Sequence, residues 1–381
     1  MSALVITHGC RSNLAERDAL QALAPDCSTV VNSCAVTAEA VRDARAAVRR
    51  AAKAGPVFVT GCAATIAPER FSDLAAVIPN RRKFSWQAWG RTASDIGIFT
   101  RRSRGFVAIQ DGCDHDCTFC VTRLARGASR SVPMATVLDH VRALVDRGTK
   151  EVVLTGIDAT SYGQDLPGRP PLGRLVQEIL ARIADLPRLR LSSLDAAEAD
   201  EALLEAFADH RLMPHVHLSL QSGDDLVLKR MKRRHSRLQA LQLIERLRLA
   251  RPDIAVGADL IAGFPTETAA AHRNSLAMVA EAGLAHAHVF PYSPRPGTAA
   301  ARMPQLDRAT ARARAAELRA AASVQHVSFR NRWLGKELQV ISEGKSGLSA
   351  HGYALRFRVA RPKGALLSVV ASSIVDGVLA E

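Results

Sequence analysis

"DGCDHDCTFCVTR", residues 111–123, sets Cys113, Cys117 and Cys120 within eight residues, and three more cysteines, Cys10, Cys34 and Cys62, lie dispersed ahead of it. Zinc takes four ligands, usually as two spaced pairs, whereas C-x3-C-x2-C offers three thiolates crowded on one side. Cysteine thiolates are general ligands of iron–sulfur clusters, and a cubane held by three of them keeps one iron open. The spacing therefore favours iron–sulfur over zinc. His115 could complete a zinc site only with its ring wedged between close ligands, and is expected to face solvent.

Working outward, "GFVAIQ" (105–110) reads as a strand leading into this loop. Further strands are expected at 151–156, 188–193, 215–220, 254–263 and 285–290, with helical patterns between them such as "MATVLDHVRALVDRG" after Pro133 and "RLQALQLIERLRLA" from Arg237. Six strand–helix repeats predict a parallel barrel or an open part of one, and in such folds chemistry sits at the carboxyl ends of the strands. Cys113, Gly156, Ser193, Gln221, Gly263 and Pro291 follow or close the six strands.

Ahead of the barrel, 3–7, 29–33 and 57–60 read as strands and 37–53 as a helix capped by Thr37, the pattern of a doubly wound parallel-sheet domain. Cys10, Cys34 and Cys62 each fall just beyond a predicted strand, so a parallel sheet would bring their ends to one edge. From about 80 to 104 the pattern weakens into a linker, where Trp86 and Trp89 are expected to pack. Cys27 fits no motif and reads as a small buried or unpaired thiol. A basic amphipathic helix is expected over 304–326, followed by short alternating runs at 336–344, 353–360 and 365–381 that suggest a small all-β barrel. The expected division is 1–90 with the dispersed cysteines, a linker at 91–104, a barrel core at 105–303, a helical linker at 304–326 and a β module at 327–381.

With 381 residues and 48% hydrophobic content the chain can bury ordinary cores. No stretch approaches 18 uninterrupted apolar residues, and the start lacks a basic, then apolar, leader. We expect a cytoplasmic protein without a membrane span, a compartment in which seven cysteines favour metal binding or catalysis over disulfides. The excess of 51 Lys+Arg over 37 Asp+Glu, a net +14, suits a polyanion such as nucleic acid, although arginine-rich composition offers a plainer explanation.

The cysteine loop after the first strand of a six-fold array, with Phe119 before the last cysteine, resembles the radical S-adenosylmethionine (SAM) enzymes. "HGCRSN", "VVNSCAVTAEAVRDARAAVRR", "TGCAA", "RGASRS", "HLSLQSGDD", "GFPTET" and "FPYSPRPGT" are similar, in order, to the methylthiotransferases of that class, and the C-terminal module resembles their TRAM domain. "NSCAVTAEAVRDAR" and "QDGCDHDCTFC" are most similar to the MtaB-type branch, which acts on N6-threonylcarbamoyladenosine next to the anticodon. Branches that act on isopentenyladenosine or on a ribosomal protein share the cysteines. In "TGIDATSYG", Asp158 and Thr160 depart from what relatives commonly carry.

The resemblance implies two [4Fe–4S] clusters. One, on Cys113, Cys117 and Cys120, binds SAM and cleaves it to a 5′-deoxyadenosyl radical; the other, on Cys10, Cys34 and Cys62, carries the sulfur to be transferred. One SAM would serve as radical source and one as methyl donor. Carbon 2 of adenine is an unactivated C–H position, so a cofactor must supply the radical chemistry. SAM contacts are expected from Phe119, Gly156, Ser193, Asp195, Gln221, Ile261 and Gly263. The tRNA anticodon stem-loop would meet Arg123, Arg126 and Arg130 near the loop, and Arg356, Arg358, Arg361 and Lys363 in the module. A sulfur donor and an electron donor of flavodoxin or ferredoxin type are further implied partners. A non-catalytic iron–sulfur RNA-binding protein is the rival reading.

Overall fold

Residues 2–9, 11–89, 104–197 and 199–381 are described in the computed structural model, so Cys10 and all but Arg104 of the expected linker lie outside the described residues, as does the Trp86 side chain. The β-branched runs near the N-terminus pair as a parallel sheet in the order β1 (Leu4–Thr7), β2 (Thr29–Ser33), β3 (Val57–Gly61) and a two-residue β4 (Ala76–Val77). Side chains alternate across a strand. Val5 and Val30 therefore meet Leu20 and Leu23 of helix Arg17–Leu23, while Val31 and Val59 meet Val41, Ala44 and Val48 of helix Ala38–Ala51 on the opposite face. The Thr37 hydroxyl accepts the Ala40 amide at 3.1 Å, the cap expected from sequence. Trp89 packs as expected, 5.4 Å from the Phe58 ring, with its Nε1–H donated to the Lys83 carbonyl. Cys27 is exposed rather than buried, in a turn with φ +58°.

The barrel strands are β5 (Gly105–Asp111), with a short antiparallel partner β6 (Arg130–Ser131) outside it, then β7 (Glu151–Gly156), β8 (Arg188–Leu191) running on as β9 (Ser193–Leu194), β10 (His215–Gln221), β11 (Ala255–Ala262) and β12 (His286–Pro291). Successive neighbours pair in parallel. The third expected strand breaks at Ser192, whose amide donates to the Leu154 carbonyl at 3.0 Å. Val216, Leu218 and Leu220 join Leu243, Leu247 and Met278 in the core beneath the outer helices. By alternation His217, Ser219 and Gln221 line the inside.

Helix Arg308–Asn331 is capped by Asp307 and runs beyond the expected end at 326, because Phe329 and Arg330 are buried under the C-terminal sheet. That sheet has the order β16-β13-β14-β15-β18-β17, built from β13 (Glu337–Ser342), β14 (Ser346–Ser349), β15 (Ala354–Arg356), β16 (Leu366–Val370), β17 (Ser373–Val375) and β18 (Val378–Ala380). It is antiparallel except where β15 meets β18. Leu338, Val340, Tyr353 and Leu355 pack on Ala255 and Ala285, at the starts of β11 and β12. Arg190 Nη1 and Nη2 donate to the Ala350 and Ser349 carbonyls at 3.0 and 3.1 Å. The module therefore closes the amino ends of the barrel strands, and the cysteine loop stands at their carboxyl ends. No helix among the described residues is long and apolar enough to cross a membrane.

Candidate functional site

The strand β5 delivers the chain to Gly112, which turns with φ +75°; a Cβ there would lie 1.9 Å from the Ala128 carbonyl oxygen, so glycine is required. The Cys113 amide donates to the Gly127 carbonyl, and the loop is pinned at Thr118, whose amide reaches Met231 O at 3.1 Å and whose hydroxyl reaches Arg230 O at 2.9 Å. N–H groups point at all three sulfurs. The His115 amide lies 3.4 Å from Cys113 Sγ, the Thr122 amide 3.4 Å from Cys120 Sγ, and Arg233 Nη1 3.4 Å from Cys117 Sγ. Donors so placed suit thiolates. Burial first, then Asp158 and the other thiols, pushes the Cys113 thiol up to about 12, so a metal must take up the charge for that thiol to ionise. The donor set fits a three-thiolate cluster.

His115 does not face solvent as expected. Its Nε2 lies 2.6 Å from Asp158 Oδ2, and Asp158 also accepts the Ser161 hydroxyl at 2.7 Å. Asp158 thus anchors the ring beside Cys113.

In the N-terminal sheet, Cys34 directly follows β2 and is 5% exposed, and Cys62 follows β3 to open helix Cys62–Ile66. A Cβ on Gly9 would fall 2.5 Å from Cys34 Sγ, so the chain after β1 runs against that thiol; Cys10 itself lies outside the described residues. Cys120 is pushed up by burial and, among lesser causes, by Cys117 and by Cys62, so the second cysteine set stands within electrostatic reach of the first. Asn80 Nδ2 lies 3.7 Å from Cys62 Sγ.

Around the strand ends, Asp195 is buried and receives Arg233 Nη2 at 2.6 Å; burial raises its pKa, but the His235 ring and Arg233 beside it hold the carboxyl well below the usual carboxylate range. Gln221 ends β10 with φ +68°, a strained conformation for a non-glycine residue. Gly156 stands 3.1 Å, measured from a built Cβ, from Gln110 Oε1, which accepts the Ile157 and Asp158 amides. Ser193 and Ile261 are partly accessible, and Phe119 sits edge-on to Phe264 at 6.4 Å. Gly263 is buried against helix Arg308–Asn331, with only 2.4 Å between a built Cβ and Ala311 Cβ, so no side chain fits there. Deeper inside, Asp259 Oδ1 takes His217 Nε2 at 2.9 Å and His288 Nδ1 at 3.1 Å, closing that trio on itself.

The arginines divide. Arg123 and Arg130 are exposed at the loop. Arg126, expected to meet RNA, is 1% exposed and spends its guanidinium on Asn13, Glu16 and Asp111, so it cannot reach a substrate. Arg356, Arg358, Arg361 and Lys363 are exposed on the module, with Arg356 paired to Asp376 and Arg361 to Glu381. Sequence reading missed Gln110 and Arg233; the basic run "KRMKRRHSR" (229–237) was the only local sign of the latter.

A three-thiol loop at the mouth of a six-stranded parallel array defines a radical SAM domain, and residues 107–279 match the Radical SAM superfamily. The chain belongs to the radical SAM methylthiotransferase family. The threonylcarbamoyladenosine tRNA methylthiotransferase MtaB of Rickettsia prowazekii is 41% identical over 369 residues, covering 90% of this chain and 88% of that protein. Its Thermotoga maritima namesake is 32% identical over 342 residues, covering 82% and 77%. The radical SAM methyltransferase TsrM from Kitasatospora setae, solved with tryptophan and a SAM analogue, shares the fold with a TM-score of 0.54, at 17% identity over 72% of this chain and 65% of that one. The cofactors of the family are SAM and [4Fe–4S] clusters.

Proposed function

We propose that the chain methylthiolates C2 of N6-threonylcarbamoyladenosine next to the anticodon of tRNA. Similarity to two MtaB relatives over most of the chain supports the substrate. The observation that carries the chemistry is the convergence of the two cysteine-bearing segments on Asn80, whose Nδ2 donates to the Ala125 carbonyl at 3.0 Å, in the helix just after Cys120, and lies 3.7 Å from Cys62 Sγ. When bound, a [4Fe–4S] cluster on Cys113, Cys117 and Cys120 would supply the electron that splits SAM, and a second on Cys10, Cys34 and Cys62 would supply the sulfur. Arg233 ties the Cys117 sulfur to Asp195, a candidate SAM contact with Phe119, Gly156, Ser193, Gln221 and Ile261. Gln110 holds the turn after Gly156 in place.

Arg123 and Arg130, exposed at the mouth, would meet the anticodon loop, and an enzyme that acts on a base takes it out of its stack. A division into 1–90, 105–303 and a module after Asn331, with Arg308–Asn331 as the connecting helix, goes with this reading. A flavodoxin- or ferredoxin-type protein would deliver electrons, and a separate donor would restore sulfur.

Nucleoside mass spectrometry of tRNA from a deletion strain tests the assignment. The 2-methylthio derivative of threonylcarbamoyladenosine is expected to disappear and to return on complementation; loss of the isopentenyladenosine derivative instead would move the chain to another branch. Anaerobically reconstituted protein should carry about eight iron atoms, whereas about four fit a one-cluster RNA-binding protein and zinc alone contradicts both.

A further inference from the structure

We propose that Arg126 and Glu16 form the centre of a buried polar strut that fixes the separation of the two cysteine sets, making Arg126 a positioning residue for sulfur transfer; this rests on the two-cluster reading.

Arg126 ends helix Thr122–Arg126, which begins two residues after Cys120. Its Nη1 donates to Asp111 Oδ1 at 2.6 Å and to Glu16 Oε1 at 2.9 Å, and its Nη2 to Asn13 Oδ1 at 2.6 Å. Asp111 belongs to the barrel strand that ends two residues before Cys113, whereas Asn13 and Glu16 belong to the N-terminal domain. Glu16 also takes Lys83 Nζ at 2.5 Å and Asn32 Nδ2 at 2.9 Å. Asn80 closes the ring: its Oδ1 accepts Lys83 Nζ at 3.0 Å, and its Nδ2 donates to Ala125 O at 3.0 Å while facing Cys62 Sγ. Asn13 Nδ2 reaches Ser33 O, the residue before Cys34, at 3.3 Å.

Cys34, Cys62 and Cys113 are therefore within two residues or one contact of this network, and Cys120 is joined to it through the helix that ends at Arg126. Glu16 and Asp111 face the buried cations Lys83 and Arg126, with the exposed Arg130 reaching Asp111 Oδ2 at 3.1 Å from outside, and burial of Glu16, opposed by Lys83 and Arg126, ends with its carboxyl held low. Apolar contact alone, such as Val121 against the N-terminal core, resists separation but tolerates sliding. A planar guanidinium with three fixed acceptors has one seating. That matters because a misplacement of about 1 Å can cost about 100-fold in a reaction between held groups.

The test uses the reconstituted full-length protein and three readouts: the ratio of methylthiolated nucleoside to 5′-deoxyadenosine, the magnetic interaction between the two reduced clusters, and hydrogen exchange of Cys62–Ile66 and Thr122–Arg126 in cluster-free protein. Arg126→Lys keeps the charge but loses the fork. It is expected to lower the ratio about 30- to 100-fold, to change the magnetic interaction, and to raise exchange in both helices while the barrel strands keep theirs. An unchanged ratio and interaction in folded, two-cluster R126K overturns the strut, as does a parallel fall of both products in step with the folded fraction. Should R126K not fold, the charge-neutral pair Glu16→Gln with Lys83→Met is judged by the same readouts. Wild-type protein that makes no methylthiolated nucleoside overturns the proposed function, leaving the strut to be judged by the interaction and exchange; a wild-type chain with one cluster overturns both.

Discussion

At Gly112 the backbone adopts φ +75° with the Ala128 carbonyl where a side chain would begin, so the loop that carries three thiols depends on a residue with no chemistry of its own. Gly112→Ala is expected to displace the loop from Gly127–Ala128, lowering iron content from about eight to about four atoms with the N-terminal sheet still folded; iron analysis and circular dichroism check it. Alanine at Cys113, Cys117 or Cys120 should abolish 5′-deoxyadenosine formation and leave the fold and most RNA binding. Replacing Cys10, Cys34 and Cys62 together should preserve SAM cleavage and abolish methylthiolation, whereas thiols that merely pack a sheet would lose stability and still give product at a reduced rate. These cysteines were legible because ligand spacing is a local property. Arg126 was not, since its burial depends on Glu16, 110 residues away, and nothing local distinguishes a guanidinium in an ion network from one in solvent.

Elements were legible where composition and period agree, as in β5, β7, β10 and β11, and less so where tertiary contacts set the ends. Nothing within 304–331 signals that the helix continues to Asn331; the Arg330 guanidinium donates to Gly377 O at 2.7 Å, a partner supplied by the last hairpin. Two-residue strands such as β4 and β6 carry no period at all. The docking of the module brings a titration with it. His286, at the start of β12, lies against His215, His326 and Tyr353 and donates Nε2–H to the His351 carbonyl at 3.0 Å, with His217 and His288 above it and Asp253 bonded to the His351 ring. Burial, with the neighbouring histidines, lowers its pKa from 6.5 to about 4. The unfolded side chain binds the extra proton first, so stability is full above about pH 6.5 and is lost as pH falls towards 4. Hydrogen exchange in β14 and β15 should accelerate over that window. His286→Gln keeps a donor and should make the dependence shallower, with the lowered His351 accounting for the remainder.

Across the whole molecule, the proposed RNA contacts fall at opposite ends of one barrel: Arg123 and Arg130 at the carboxyl ends, Arg356, Arg358, Arg361 and Lys363 on the module beneath the amino ends. A seven-residue strand such as β5 or β10 spans about 23 Å, so RNA touching both sets must lie along the side of the barrel. Deleting the module cannot test this cleanly. It would strip the cover from Ala255 and Ala285, and Arg190, which shares the buried Glu151 with Arg188, would lose its carbonyl acceptors at Ser349 and Ala350. Loss of binding would then follow from a damaged barrel floor. The four exposed cations can be neutralised with little expected cost to the fold, because Arg356 pairs with the exposed Asp376 and Arg358 and Arg361 reach only Glu381 at the end of the chain. Each phosphate contact contributes about 0.7–0.9 to the slope of log affinity against log salt. Glutamine at all four positions should therefore flatten the slope for tRNA by up to about 3, while Arg123→Gln with Arg130→Gln removes at most about 2 and also impairs methylthiolation at saturating tRNA. An unchanged slope and affinity in the quadruple variant at two salt concentrations would exclude the module as an RNA surface and leave its place beneath the barrel as its whole role.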